Sequence, residues 1–122
     1  MKVIIAGSRS ITDPDEIEKA TQFSGFDITE VVSGACPRGV DRIGEEWAKR
    51  HGIPIRRFPA QWNAFGPLAG PMRNGVMADY ADALIAVWDG DSPGTRNMIA
   101  RAGEKGVPTI IWRVLKEIQR CP

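Results

Sequence analysis

Short apolar runs without alternation take turns along this chain with stretches in which apolar residues recur at helical spacing. Residues 2–6 (KVIIA) form the first run, the pattern of a strand covered on both faces by helices. GSRS breaks it. Asp13 is placed to cap a helix that has Pro14 at its first position and carries Ile17, Ala20 and Phe23 at helical spacing up to Gly25. A second strand is predicted over 28–33 (ITEVVS), then a GACPRG loop, then a helix over 40–51 with Val40, Ile43, Trp47 and Ala48 facing inward and Gly52 as its stop. Residues 53–58 (IPIRRF) read as a shorter, more polar third strand. The segment 59–71, rich in Gly, Pro and aromatic residues, is predicted as an unusually long loop. A helix over 71–80 follows, with Met72, Val76, Met77 and Tyr80 as its apolar residues, then the most uniformly apolar strand, 83–88 (ALIAVW). DGDSPG punctuates the chain before a helix over 95–105, a stop at Gly106, a fifth strand over 108–112 and a short polar tail.

Five strands alternating with helices predict an α/β fold of Rossmann-like type: a doubly wound parallel five-stranded sheet with helices on both faces, each crossover right-handed. In the order 3-2-1-4-5 the winding reverses between strands one and four, and ligands of such sheets sit at that reversal, beyond the carboxyl ends of the strands. GSRS, DGDSPGT and GACPRG then converge on one crevice.

Composition narrows the possibilities. A chain of 122 residues, 43% hydrophobic, suits one domain over 1–122. With 16 basic and 15 acidic residues it has no global field to draw in nucleic acid, so any anion site is local. The apolar start is too short for a membrane span and lacks the features of an export signal, so no membrane association is expected. Cys36 and Cys121 are expected as reduced thiols of a cytoplasmic protein. No Cys/His cluster has metal-ligand spacing, and neither a metal nor a resident cofactor is expected.

The candidate chemistry lies in the three loops. Gly94 and Thr95 at a helix start offer backbone N–H groups, a hydroxyl and the positive end of a helix dipole to a phosphate; an ordinary Gly and N-cap pair is the alternative reading. Gly7, Ser8 and Arg9 end the first strand at the same edge and supply close backbone approach, a hydroxyl and a guanidinium. Arg9 has the alternative of a surface pair with Asp13 or Asp89. Gly34 and Gly39 bracket a tight loop containing Arg38. Asp41, in the first turn of the next helix, suits either ribose hydroxyls or the helix dipole. Cys36 is read as a packing residue, and His51 as a helix-end cation without a catalytic role. Trp62, Phe65 and Pro67 are placed to cover the site, to stack on a base or to meet a neighbouring subunit, whereas Trp47, Trp88 and Trp112 are assigned to the core.

Taken together, GSR, SGACPRGVD, GPMRNGVMADYADALIAVWDG and SPGTRNMI resemble the SLOG superfamily, most closely its YspA-like branch, from about Lys2 to Trp112. The resemblance implies a Rossmann-like fold that binds a nucleotide or nucleotide-derived small molecule, and a homo-oligomer. It implies ligand-facing roles for Arg73 and Asn74 on the third helix; Asp89, after strand four, is a further ligand-binding candidate. The superfamily also contains the LOG phosphoribohydrolases, which carry an Arg-Lys pair and a PGGxGTxxE loop. Here Arg73-Asn74 and DGDSPGT fall on those positions, and Met98 falls on the glutamate. A thioether cannot stabilise the oxocarbenium-like state of N-glycosidic cleavage. An enzyme of this type therefore needs another carboxylate, from Asp41, Asp89 or Asp91; Asp41, with Arg73, is the favoured catalytic pair. SGACPRGVD also has an additional residue around Cys36-Pro37 relative to the SGGARGAD-like form of the branch. Binding is the leading expectation, a phosphoribohydrolase-like N-glycosidase the second, and nucleic-acid processing like that of the DprA/Smf relatives the weakest, given the absence of a basic stripe.

Overall fold

A run of apolar residues forms a central strand only if both of its faces are covered, and the alternation of burial in the computed structural model, which describes residues 1–115, meets that condition. Cys121 and most of the polar tail lie outside the described residues. The strands are β1 (Lys2–Gly7), β2 (Glu30–Ser33), β3 (Ile55–Arg57), β4 (Ala83–Trp88) and β5 (Thr109–Arg113). They form one parallel sheet in the order β3-β2-β1-β4-β5, with Val3 opposite Val31 on one side and Ala83 on the other. Val3, Ile5, Ala83, Ile85 and Val87 point to a core under helices α1 (Pro14–Ser24) and α2 (Val40–Arg50). Ile4, Ala6, Leu84 and Ala86 point to a second core under α4 (Ala69–Tyr80) and α5 (Pro93–Glu104). This is the doubly wound Rossmann-like arrangement, and its reversal lies between β1 and β4.

The helix ends follow local chemistry. Asp13 caps α1 by accepting from the Asp15 N–H at 3.0 Å, Pro14 opens the helix, and Gly25 closes it in the left-handed conformation. Several boundaries differ from expectation. β2 starts at Glu30 because the N–H groups of Thr29 and Glu30 turn to the Met1 carbonyl. β3 is confined to 55–57, since the Ile53 N–H closes the end of α2 on Ala48 and Pro54 has no N–H to give. The expected 59–71 loop instead folds into a short helix α3 (Trp62–Phe65), a 3-10 turn over Gly66–Leu68 and the first turn of α4. Pro71 is accepted there because the first N–H groups of a helix have no intrahelical partner; for the same reason α5 begins at Pro93, two residues before the expected start.

Some apolar assignments need correction. The inward face of α4 carries Ala69, Gly70, Asn74, Met77 and Ala78, so Met72 and Val76 are exposed. Phe23 is also exposed, its place on the buried face of α1 taken by Thr21, which bonds back to Ile17. Of the tryptophans, Trp47 is in the core. Trp88 and Trp112 are only half-buried, because they stand at the end of β4 and on the edge strand β5.

Candidate functional site

Parallel strands deliver their following loops to one edge, and here the loops after β1, β2 and β4 meet the first turns of α4 and α5 around a cleft of about 610 Å³. That volume is in the range of small-molecule sites. Of the expected ligand-binding residues, Gly7, Arg9, Gly34, Asp41, Arg73, Asn74, Gly94 and Thr95 line it. Ser8, Arg38, Gly39 and Asp89 do not.

Ser8 and Asp89 hold the loops in place. Ser8 is fully buried. Its carbonyl accepts from the N–H of Ile11 and of Val40, at the start of α2, and its Oγ accepts from the Asp89 N–H at 3.0 Å and from Ser92 Oγ at 2.9 Å. One residue thereby ties the β1 loop to α2 and to the loop after β4. Asp89 accepts from the N–H groups of Asp91 (2.8 Å) and Ser92 (2.9 Å) and from the Ser92 hydroxyl. Desolvation opposes its charge, but these hydrogen bonds, with that from Ser8, outweigh it and bring the carboxyl down to about 2. Gly39 serves packing as well: its φ is +76°, and a Cβ there would lie 2.3 Å from Arg9 Cα. Arg38 is exposed and away from the cleft.

One wall suits an anion. The Ser92 side chain is engaged with Ser8 and Asp89 and makes no cap bond to α5, and the first intrahelical bond runs from Arg96 N–H to the Ser92 carbonyl. The N–H groups of Gly94 and Thr95 therefore have no intrahelical partner, and both residues line the cleft at the positive end of the helix dipole. Arg9, exposed at the mouth, brings a guanidinium to the same cleft.

The opposite wall holds a buried carboxyl beside a half-buried guanidinium. Ala35 adopts φ +63°, which turns two successive N–H groups inward, its own to Ser33 Oγ (3.0 Å) and that of Cys36 to Asp41 Oδ2 (3.0 Å). Asp41 is only 9% exposed. Burial raises its pKa from 3.8 to about 6, against the opposing pull of the Cys36 N–H and of Arg73. Arg73 donates to the carbonyls of Gly34 and Phe58 and, through Nε, to Asn74 Oδ1 at 3.0 Å. Burial lowers its pKa and the Asp41 charge raises it. Gly34 lies between the pair: a Cβ there would sit 2.7 Å from Arg73 Nη1 and 2.9 Å from Asp41 Oδ2.

The remaining lining includes residues for which no ligand-facing role was read from the sequence: Ser10, Gly70, Ser92 and Asn97. Asn97 carried a legible signal, since it lies one helical turn after Gly94 and so shares its face. Trp62 lines the cleft, packed over Gly70, while Phe65 does not. Met98, at the position of the glutamate in LOG enzymes, is 1% exposed and forms part of the wall. Cys36 lines the cleft as a free thiol, and His51 caps α2 against Glu18 on the far side of the sheet. Among the described residues no group of three or more His, Cys, Asp or Glu side chains could hold a metal ion, and no helix is long and apolar enough to cross a membrane.

Comparison with known proteins matches residues 1–65 to the YspA, cpYpsA-related SLOG family (YAcAr). The uncharacterized SPbeta prophage-derived protein YoqJ of Bacillus subtilis (strain 168) is 36% identical over 50 residues, which are 41% of this chain and 29% of that protein. The similarity thus spans under a third of that relative's length. No solved structure matches the chain.

Proposed function

The chain belongs to the YspA, cpYpsA-related SLOG family, and from that premise and the cleft's geometry we propose that it binds a nucleotide or nucleotide-derived small molecule. Family membership makes the expectation nucleotide-related, and the lining of the cleft supports it. The supporting observation is the meeting of two N–H groups at the start of α5 with Arg9 at the reversal point of the sheet. The phosphate sits against Gly94 and Thr95, Arg9 closes over it, and the sugar lies toward Asp41 and Arg73. Ser8 and Asp89 act through the shape of the loops, because their polar atoms are already engaged within the protein. Isothermal titration of a panel of nucleoside mono- and diphosphates tests the proposal. Saturable binding that weakens about tenfold in Arg9→Ala is expected from loss of a charge-assisted hydrogen bond; folded protein that binds none of the panel refutes it.

A second reading is favoured by one observation: a buried carboxyl at about 6 stands in the same cleft as a half-buried guanidinium. A group titrating there can pass a proton near neutral pH. In this reading the chain hydrolyses an N-glycosidic bond: the protonated Asp41 carboxyl gives its proton to the departing base as the C–N bond breaks, water adds to the anomeric carbon and returns a proton to Asp41, and Arg73 orients the sugar phosphate. Met98 counts against it, since the wall offers a thioether where LOG enzymes place a carboxylate. Chromatography for free base after incubation with nucleoside monophosphates decides the matter; base released equally by wild type and Asp41→Asn removes Asp41 from the role.

A further inference from the structure

The tryptophans of this chain differ in what engages their rings. Trp47 packs on the His51 ring at a centroid separation of 4.4 Å. Trp88 donates its indole N–H to the Ser92 carbonyl and carries Arg96 over its ring, and Trp112 donates to Glu16 and meets Phe23. Trp62 has no hydrogen bond, ring partner or cation partner among the described residues. It is 50% exposed, and it lines the cleft. The helix that carries it explains neither fact: α3 buries no residue, and Phe65 at its other end lines a neighbouring groove with Met72 and Val76. Within α3, only Trp62 reaches the cleft.

The position of the indole is set from α4. A Cβ on Gly70 would lie 3.1 Å from Trp62 Cη2, closer than ordinary contact, so the missing side chain is what lets the ring settle there. Gly70 precedes Asn74 by four residues, which places it on the same helix face and about 6 Å nearer the start of α4. Asn74 in turn reaches the Gly94 carbonyl at 3.3 Å. The ring of Trp62 therefore rests about one helical turn further along α4 than the group that meets the phosphate wall, with Arg73, on the sugar's side, in the turn between. Phosphate, sugar and base have that same order in a nucleotide. An aromatic face also binds a base without needing a hydrogen-bond code. Resting on the reading of the cleft as a nucleotide site, we infer that Trp62 is the platform on which the base stacks. The ligand class is then a phosphorylated sugar that carries a purine or pyrimidine, held by the face of its ring, in preference to a sugar phosphate without a base.

Titration of ribose 5-phosphate and of adenosine, guanosine, cytidine and uridine monophosphates into wild type, Trp62→Ala and Trp62→Phe tests the inference, with circular dichroism to establish that each variant is folded. Wild type is expected to bind the nucleotides about tenfold or more tightly than ribose 5-phosphate. Trp62→Ala removes that advantage and leaves the affinity for ribose 5-phosphate unchanged. Trp62→Phe, which keeps an aromatic face, retains most of it. Wild type that binds ribose 5-phosphate as tightly as the nucleotides overturns the inference while leaving the anion pocket in place, as does nucleotide affinity that survives Trp62→Ala. An equal loss for every ligand in Trp62→Ala also overturns it, by marking Trp62 as a support of the cleft and not a contact to the base. Binding of no ligand by folded wild type overturns the reading of the cleft, and this inference with it.

Discussion

Replacing Asp41 with asparagine should stabilise the protein, and by an amount that depends on pH. Asp41 ionises at 3.8 when exposed in the unfolded chain and at about 6 in the folded one, because burial disfavours its charge. The folded state therefore holds the proton more tightly. The stability linked to this group is fully present below about pH 3.8 and is lost as pH rises through about 6. At 1.36 kcal/mol per tenfold, the full loss is about 3 kcal/mol; it is complete near pH 7.5 and only about 1 kcal/mol at pH 4.5. Asparagine is neutral throughout, and its Oδ1 can still accept from the Cys36 N–H. Asp41→Asn is thus expected to raise the unfolding free energy by up to about 3 kcal/mol at pH 7.5, and by about 2 kcal/mol less at pH 4.5. Guanidinium denaturation of both proteins at the two pH values measures this. A difference between variant and wild type that does not change with pH would refute the reasoning, as would one that grows toward acid. A destabilising carboxylate facing a ligand cleft is also the pattern expected where stability has been given up for function.

Three further outcomes follow from the same structure. Ser8→Ala leaves the Asp89 N–H without its partner, while the Ser92 hydroxyl keeps Asp89, so it should lower the unfolding free energy by about 1–3 kcal/mol, read by chemical denaturation. Gly39→Ala combines a positive φ with a Cβ 2.3 Å from Arg9 Cα and should cost at least about 2 kcal/mol, whereas Arg9→Ala on the exposed rim should stay within about 0.5 kcal/mol of wild type. The Asp89 carboxylate, held at about 2 by its hydrogen bonds, stabilises the fold above about pH 4 and loses that contribution as pH falls toward 2; Asp89→Asn should flatten the acid limb of the stability profile over that interval.

The sheet was readable from sequence because β1 and β4 are covered on both faces, so every position must be apolar whatever its register. The helix start at Asp13-Pro14 was readable because a cap is a local interaction. β2 and β3 were overextended because their ends are set by partners distant in sequence or in neighbouring elements, the Met1 carbonyl and the end of α2. The exposed positions of Met72 and Val76 depend on where α4 starts, which was obscured by Pro71 in its first turn. At the site, backbone-defined features such as Gly94-Thr95 could be placed from topology alone. Sequence could not tell an outward hydroxyl from an inward one, so Ser8 and Asp89 read as ligand contacts although their polar atoms bind other loops.

The central claim is that the start of α5 and the loop after β1 form one anion pocket. Amide chemical-shift mapping during titration with a nucleoside monophosphate tests it most directly. The account predicts saturable shifts concentrated on the N–H signals of Gly94 and Thr95 and on Arg9, with a common midpoint. Saturable shifts centred elsewhere, with these three signals unmoved, would contradict it.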